Sequence, residues 1–169
     1  MSINQERQPM IAVLGIGNLL MSDEGFGVHM VQELQSSWTF SPEIQLIDGG
    51  TAGMELLGFM SDFDHLLLID ALDAGLEEAT LCSFSHDEVD KYFAAQVSAH
   101  EVGIQDVLFI KNLSDNPLVA CHVVGIQPSS LEPHIGLSDK VAAKKDEALK
   151  LCLDVLESWG VRYERRKQD

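Results

Sequence analysis

The chain has 169 residues, 46% of them hydrophobic, which suits one domain whose single core buries roughly 70% of the unfolded surface. Its formal charge is −16, with 27 Asp and Glu against 11 Lys and Arg, and this excludes nucleic acid and anionic membrane as partners, because both are held by cationic surface. Cys82, Cys121 and Cys152 are odd in number, widely spaced and without a C-x-x-C pair, so they fit a reducing compartment, the cytoplasm, rather than a disulfide scaffold.

Ile11-Ala12-Val13-Leu14 is a short apolar run closed by Gly15, the pattern of a strand covered on both faces. Gly15, Gly17 and Asn18 interrupt the apolar stretch from Met10 to Met21 and Asp23-Glu24 follow it, so it reads as strand and loop rather than a signal-peptide core. No run reaches the length of a membrane helix, and no membrane insertion is expected. Ser22 is placed to cap a helix whose Val28, Val31, Leu34 and Trp38 form one apolar stripe. After Pro42, Ile44 to Ile47 predicts a second strand stopped by Asp48-Gly49-Gly50, with Thr51 capping a short helix.

Leu66-Leu67-Leu68-Ile69 is apolar throughout and reads as a central parallel strand with Asp70 at its carboxyl end. Thr80 to Phe84 predicts a fourth strand, at an edge or antiparallel. Ser98-Ala99-His100-Glu101 has the form of a capping box and sets His100 in the first turn of a helix running to about Asn112. Leu118 to Ile126 supplies a fifth strand. Ser138 opens a last helix with Val141, Ala148, Cys152, Val155 and Trp159 on one face, ended by Gly160. Residues 1–9 and 164–169 are expected to be flexible ends of the single domain 1–169. The expected fold is a three-layer α/β/α sandwich around a mostly parallel, about five-stranded twisted sheet.

Ligands of such sheets gather outside the carboxyl ends of the strands, and Glu24, Asp48, Asp70 and His100 map there. Two carboxylates and an imidazole can hold a divalent cation while leaving positions free for water or substrate, so Glu24, Asp70 and His100 form the candidate metal set. A carboxylate continuing an apolar strand, as Asp70 does, needs a cation or donors. The positive end of its helix favours a neutral His100 with a nitrogen free to bind. Asp48-Gly49-Gly50-Thr51 offers amides unobstructed by side chains, and Gly49, Gly50 and Thr51 are candidates for gripping an extended peptide.

The other histidines carry less weight. His29, within a helix, and His65, before a strand, read as structural or solvated; His122 reads as a satisfied, partly buried strand residue and His86 as a loop residue. His134 is the reserve rim candidate. Gly15-Ile16-Gly17 also invites a dinucleotide reading, with Asp48 as ribose ligand. That pattern fails where Leu20 replaces its third glycine, and Asp23 and Glu24 would repel phosphates.

The segments GIGNLLMSDEGFGV, DGGTAGMELL, DHLLLIDALDAG, SAHEVGIQDVL and GIQPSSLEPHIGLS, in this order, resemble the hydrogenase maturation endopeptidases, which trim the C-terminal extension of the nickel-iron hydrogenase large subunit. The resemblance spans nearly the whole chain. It implies the same three-layer fold, metal contacts from Glu24, Asp70 and His100, and nickel supplied by the large-subunit precursor, with other divalent cations able to occupy the same donors. Glu24, Asp70, His100 and Asp48 are the catalytic candidates, with Glu24 or Asp48 as proton acceptor, in an enzyme expected to act as a monomer. Two alternatives stand beside this reading: a non-enzymatic nickel-sensing chaperone of the large subunit, and a nucleotide-binding module.

Overall fold

The computed structural model describes residues 7–89 and 104–167. Three apolar segments form parallel strands covered from both sides, β1 (Ile11–Ile16), β4 (His65–Ala71) and β6 (Ala120–Ile126), and the more exposed β3 (Gln45–Gly50) joins them in parallel at one margin. The antiparallel β5 (Leu81–Phe84) completes a five-stranded sheet of order β3-β1-β4-β6-β5. A separate two-stranded ribbon pairs β2 (Trp38–Ser41) with β7 (Arg162–Arg165).

Side-chain alternation along each strand divides the interior into two cores. Val13, Leu67, Ile69 and Val124 face α1 (Phe26–Ser37) and α5 (Lys145–Ser158), meeting Met30, Leu34, Cys152 and Leu156. Ala12, Leu14, Leu66, Leu68 and Val123 face α2 (Leu56–Met60) and α3 (Ile104–Leu113), meeting Met60, Val107 and Leu108. The three-layer α/β/α architecture follows from the sequence as expected, and all three cysteines are buried.

Local boundaries differ in instructive places. Ser22 does not cap α1: residues Ser22–Gly25 form a 3-10 turn and Gly25 occupies the cap position without a side-chain bond. The Ser22 hydroxyl instead donates to Glu132 O at 2.6 Å. Thr51 is no cap either, since α2 begins at Leu56 behind Glu55. Trp38 leaves the helical stripe and opens β2, stacking edge-on against Tyr163 with ring centroids 5.6 Å apart. Residues 162–165 are strand β7, so the expected flexible end at 164 is corrected: Thr39 pairs with Glu164 and Trp38 with Arg165. Asp48-Gly49-Gly50 does not stop β3 but belongs to it. His86 is helical rather than in a loop, within residues 86–89. The expected last helix is divided into α4 (Asp139–Ala142), capped by Ser138, and α5, and Gly160 at φ 85° follows it. The expected capping box at 98–101 lies outside the described residues.

Candidate active site

The rim of the sheet is assembled by register. Gly15, near the carboxyl end of β1, is paired with Asp48 on β3 and with Ile69 on β4, so Asp48 and Asp70 flank the end of the same strand. Alternation with Leu66 and Leu68 turns Asp70 toward the α2 and α3 layer. It is buried, with 8% of its surface exposed, whereas Asp48 is exposed.

Helix α1 reaches this rim because two glycines remove the side chains between it and the sheet. A Cβ on Gly15 would lie 2.1 Å from Gly27 O, and one on Gly27 would lie 2.1 Å from Ile69 O and 2.5 Å from Ile16 O. Gly17, at φ +139°, has the carbonyl oxygen of Glu24 where its own Cβ would stand, at 1.7 Å. The glycines of GIG therefore admit the protein's own backbone, not the pyrophosphate that the dinucleotide reading requires. Glu24, half-buried in the 3-10 turn ahead of α1, sits in a turn packed against β4.

The turn is fixed by the residue before Glu24. Asp23 is fully buried, and its Oδ2 accepts hydrogen bonds from Ser129 N at 2.9 Å, Ser130 N at 2.9 Å and Ser138 Oγ at 2.8 Å, while Oδ1 accepts from Ser138 N at 2.8 Å. Backbone bonds reinforce the seam: Ser22 N donates to His134 O at 2.9 Å, Asp23 N to Ser130 O at 3.1 Å, and His134 N to Leu20 O at 3.0 Å. A buried carboxylate accepting four hydrogen bonds meets the desolvation demand of its charge without a cation. Asp23 is thus a clamp, and it joins the loop carrying Glu24 to the loop of His134, which is exposed beside Met21.

Gln127 does the same for the loop after Asp70. Its buried Oε1 accepts from Ala74 N at 2.9 Å and Leu76 N at 3.2 Å, and its Nε2 donates to Asp73 Oδ1 at 3.1 Å. The sequence reading missed both clamps. Asp23 stood in plain view beside Glu24, but its donors come from residues 129–138, and only their number, three serines around one proline-rich loop, hints at an acceptor.

Gly49 is buried within β3, Gly50 is at φ 48° with its N–H donating to Asp48 Oδ1 at 3.0 Å, and Thr51 is exposed. His100, the remaining member of the expected ligand set, lies outside the described residues. Of the other histidines, His122 Nε2 lies 2.7 Å from Ser83 Oγ, and burial holds its pKa below the ordinary value against the raising influence of Glu88. His65 Nδ1 lies 2.7 Å from Asp64 Oδ1. His29 Nε2 is buried without a hydrogen-bond partner among the described residues, and burial, then the charge of Lys145, lowers its pKa.

Comparison with known proteins gives one consistent answer. The family model described as hydrogenase maturation protease matches residues 28–155. The hydrogenase 2 maturation protease of Escherichia coli strain K12 is 39% identical over 152 residues, covering 89% of this chain and 93% of that protein. The hydrogenase expression/formation protein HupD of Rhizobium leguminosarum bv. viciae is 37% identical over 162 residues, 95% of this chain and 80% of that one. Among solved structures, the hydrogenase maturating endopeptidase HybD from E. coli superposes with a TM-score of 0.85 at 38% identity, covering 93% of this chain and 98% of that chain.

Proposed function

This chain belongs to the hydrogenase maturation protease family and is a hydrolase of peptide bonds, and we propose that it cuts one bond in a nickel-loaded nickel-iron hydrogenase large-subunit precursor, releasing the C-terminal extension. The observation that supports this most directly is the placement of Asp48 and Asp70 at the carboxyl ends of the two strands flanking β1, with Glu24 in the 3-10 turn that packs against β4, around a rim whose loops are clamped by buried Asp23 and Gln127.

In this reading the nickel belongs to the substrate. Glu24 and Asp70, with His100, are the residues that would contact it, and oxygen and imidazole donors suit a divalent first-row ion. Bound there, such an ion polarises a carbonyl and acidifies water. Hydrolysis adds water to the scissile carbonyl carbon, breaks the C–N bond and returns a proton to the leaving amine. Glu24 or Asp48 would accept the proton from the attacking water and hand it on. Asp48 is suited by its exposure, and the bond that its Oδ1 accepts from Gly50 N orients the carboxylate. Gly49, Gly50 and Thr51 would lie along the substrate backbone. The proposed location is the cytoplasm, where the three buried thiols stay reduced, and the proposed working form is the monomer.

The deciding experiment incubates the purified chain with nickel-loaded and nickel-free precursor and measures the mass of the large subunit. Loss of the C-terminal extension only from the nickel-loaded form supports the proposal. A stable complex with no released peptide would instead make the protein a nickel-sensing chaperone.

A further inference from the structure

Strand β3 forms one margin of the sheet and, among the described residues, pairs only with β1. Successive residues of a parallel strand direct their backbone groups alternately to the two sides. Gln35 Nε2 donates to Leu46 O at 3.1 Å from outside the sheet, while Gly17 N, on the β1 side, donates to Gly50 O at 2.8 Å across the bulge at Gly49. Ile47 therefore faces β1, and Leu46 and Asp48 direct their N–H and C=O groups outward. With Leu46 O engaged by Gln35, three outward main-chain groups remain without a partner among the described residues: Leu46 N–H, Asp48 N–H and Asp48 C=O.

Open edges are ordinarily guarded by Lys, Pro or a covering element, because they invite another chain to pair. The segment Gln45-Leu46-Ile47-Asp48-Gly49-Gly50 has no Lys or Pro, and its single charge is Asp48. The edge also leads directly into the candidate site, since Asp48 is in register with Gly15 and so stands beside the strand end that Asp70 flanks.

We propose that the outer edge of β3 receives the extended tail of the precursor as an added strand, which would carry the scissile bond to the rim; this rests on the peptidase reading above. The four residues Gln45 to Asp48 span about 13 Å at the usual rise per residue, room for roughly four residues of substrate. Main-chain bonds of this kind recognise extended polypeptide rather than a particular side chain.

The test uses the full-length chain, isotopically labelled, with nickel-loaded large-subunit precursor from the same organism, and reads amide hydrogen exchange and precursor mass in one sample. Exchange at Leu46 and Asp48 should slow at least tenfold, with Ile47 little changed because its N–H already faces β1. Leu46→Pro, which deletes an outward N–H at an edge where proline is tolerated, should raise KM about tenfold, the scale of one lost hydrogen bond, with the effect on KM rather than kcat. Trimming without protection at Leu46 and Asp48 overturns edge docking and leaves the peptidase reading standing. Protection without trimming supports docking and overturns the peptidase reading, and the absence of both overturns the two together. Should Leu46→Pro fail to fold, exchange in the unaltered chain still decides.

Discussion

Asp23 and Ser138 are 115 residues apart in the chain, yet the carboxylate of one accepts both the backbone N–H and the hydroxyl of the other, each at 2.8 Å. Ser138 also caps α4 through Val141 N, so this contact ties the turn holding Glu24 to the start of a helix. In Asp23→Asn, either orientation of the amide sets its NH2 against at least one buried backbone N–H, because every partner of the carboxylate is a donor. The expected cost is about 2–3 kcal/mol in urea unfolding. Ser138→Ala keeps the backbone bond and loses the hydroxyl and cap, an expected loss of about 1 kcal/mol. Precursor trimming by Asp23→Asn should fall at least tenfold at a temperature where the variant is still folded. Equal stability losses in the two variants would show that the carboxylate does no more than the hydroxyl.

Gly27 gives a second, purely steric prediction. Its missing side chain lets the first turn of α1 rest on the carbonyls of Ile69 and Ile16, and those backbone atoms have no rotamer by which to move aside. Gly27→Ala raises helix propensity but forces α1 away from the sheet, so the net result should be a loss of about 3 kcal/mol or more, measured by thermal or urea unfolding. A stabilised Gly27→Ala protein would mean that α1 can slide without disturbing β1 and β4.

The parallel sheet was legible because a strand buried on both faces is a continuous apolar run, as in Ile11 to Leu14 and Leu66 to Ile69, and the charge following the second run marked Asp70. The ribbon of β2 and β7 was not. Trp38 falls four residues after Leu34 and so continues the helical stripe of α1, while Arg162 to Arg165 has the composition of a solvated tail. Their pairing joins segments distant in the chain that carry no local trace of each other. Ser22 and Thr51 failed as caps for a related reason: a hydroxyl permits capping, but Ser22 bonds Glu132 O instead and α2 starts downstream of Thr51. The rim acids could be read from strand ends, whereas the clamps Asp23 and Gln127 depend on donors brought in by the fold.

Asp70→Asn and His100→Ala should each leave the unfolding midpoint near that of the parent chain while slowing trimming of nickel-loaded precursor at least about a hundredfold, the scale of a lost general base or electrostatic contact. Glu24→Gln should fall in the same range. Asp48→Asn separates proton transfer from positioning, because the amide oxygen can still accept from Gly50 N but cannot take up a proton: a lost rate with retained precursor binding assigns the base to Asp48, and a retained rate assigns it to Glu24. Near-parental trimming by both Asp70→Asn and His100→Ala would remove the proposed site altogether.

The pH dependence of stability should carry the signature of two lowered histidine pKa values. His122 is held down by burial, opposed by Glu88, and His29 by burial and then by Lys145. The fold therefore prefers both imidazoles neutral, and between the unfolded value near 6.5 and the lower folded values the unfolded chain binds more protons. Stability rises with pH in that window and is lost as pH falls through it, the loss being complete below the folded values. Carboxylates ordinarily titrate near 4, so a series of urea midpoints from about pH 7.5 to 5.5 reads mainly histidines. The parent midpoint should decline on acidification, and the decline should be shallower in a His29→Gln, His122→Gln double variant, in which neither side chain can gain a proton. An equal decline in parent and variant would assign the effect to other groups, since the reduction of the chain's negative charge on acidification is shared by both proteins and opposes the decline by easing self-repulsion.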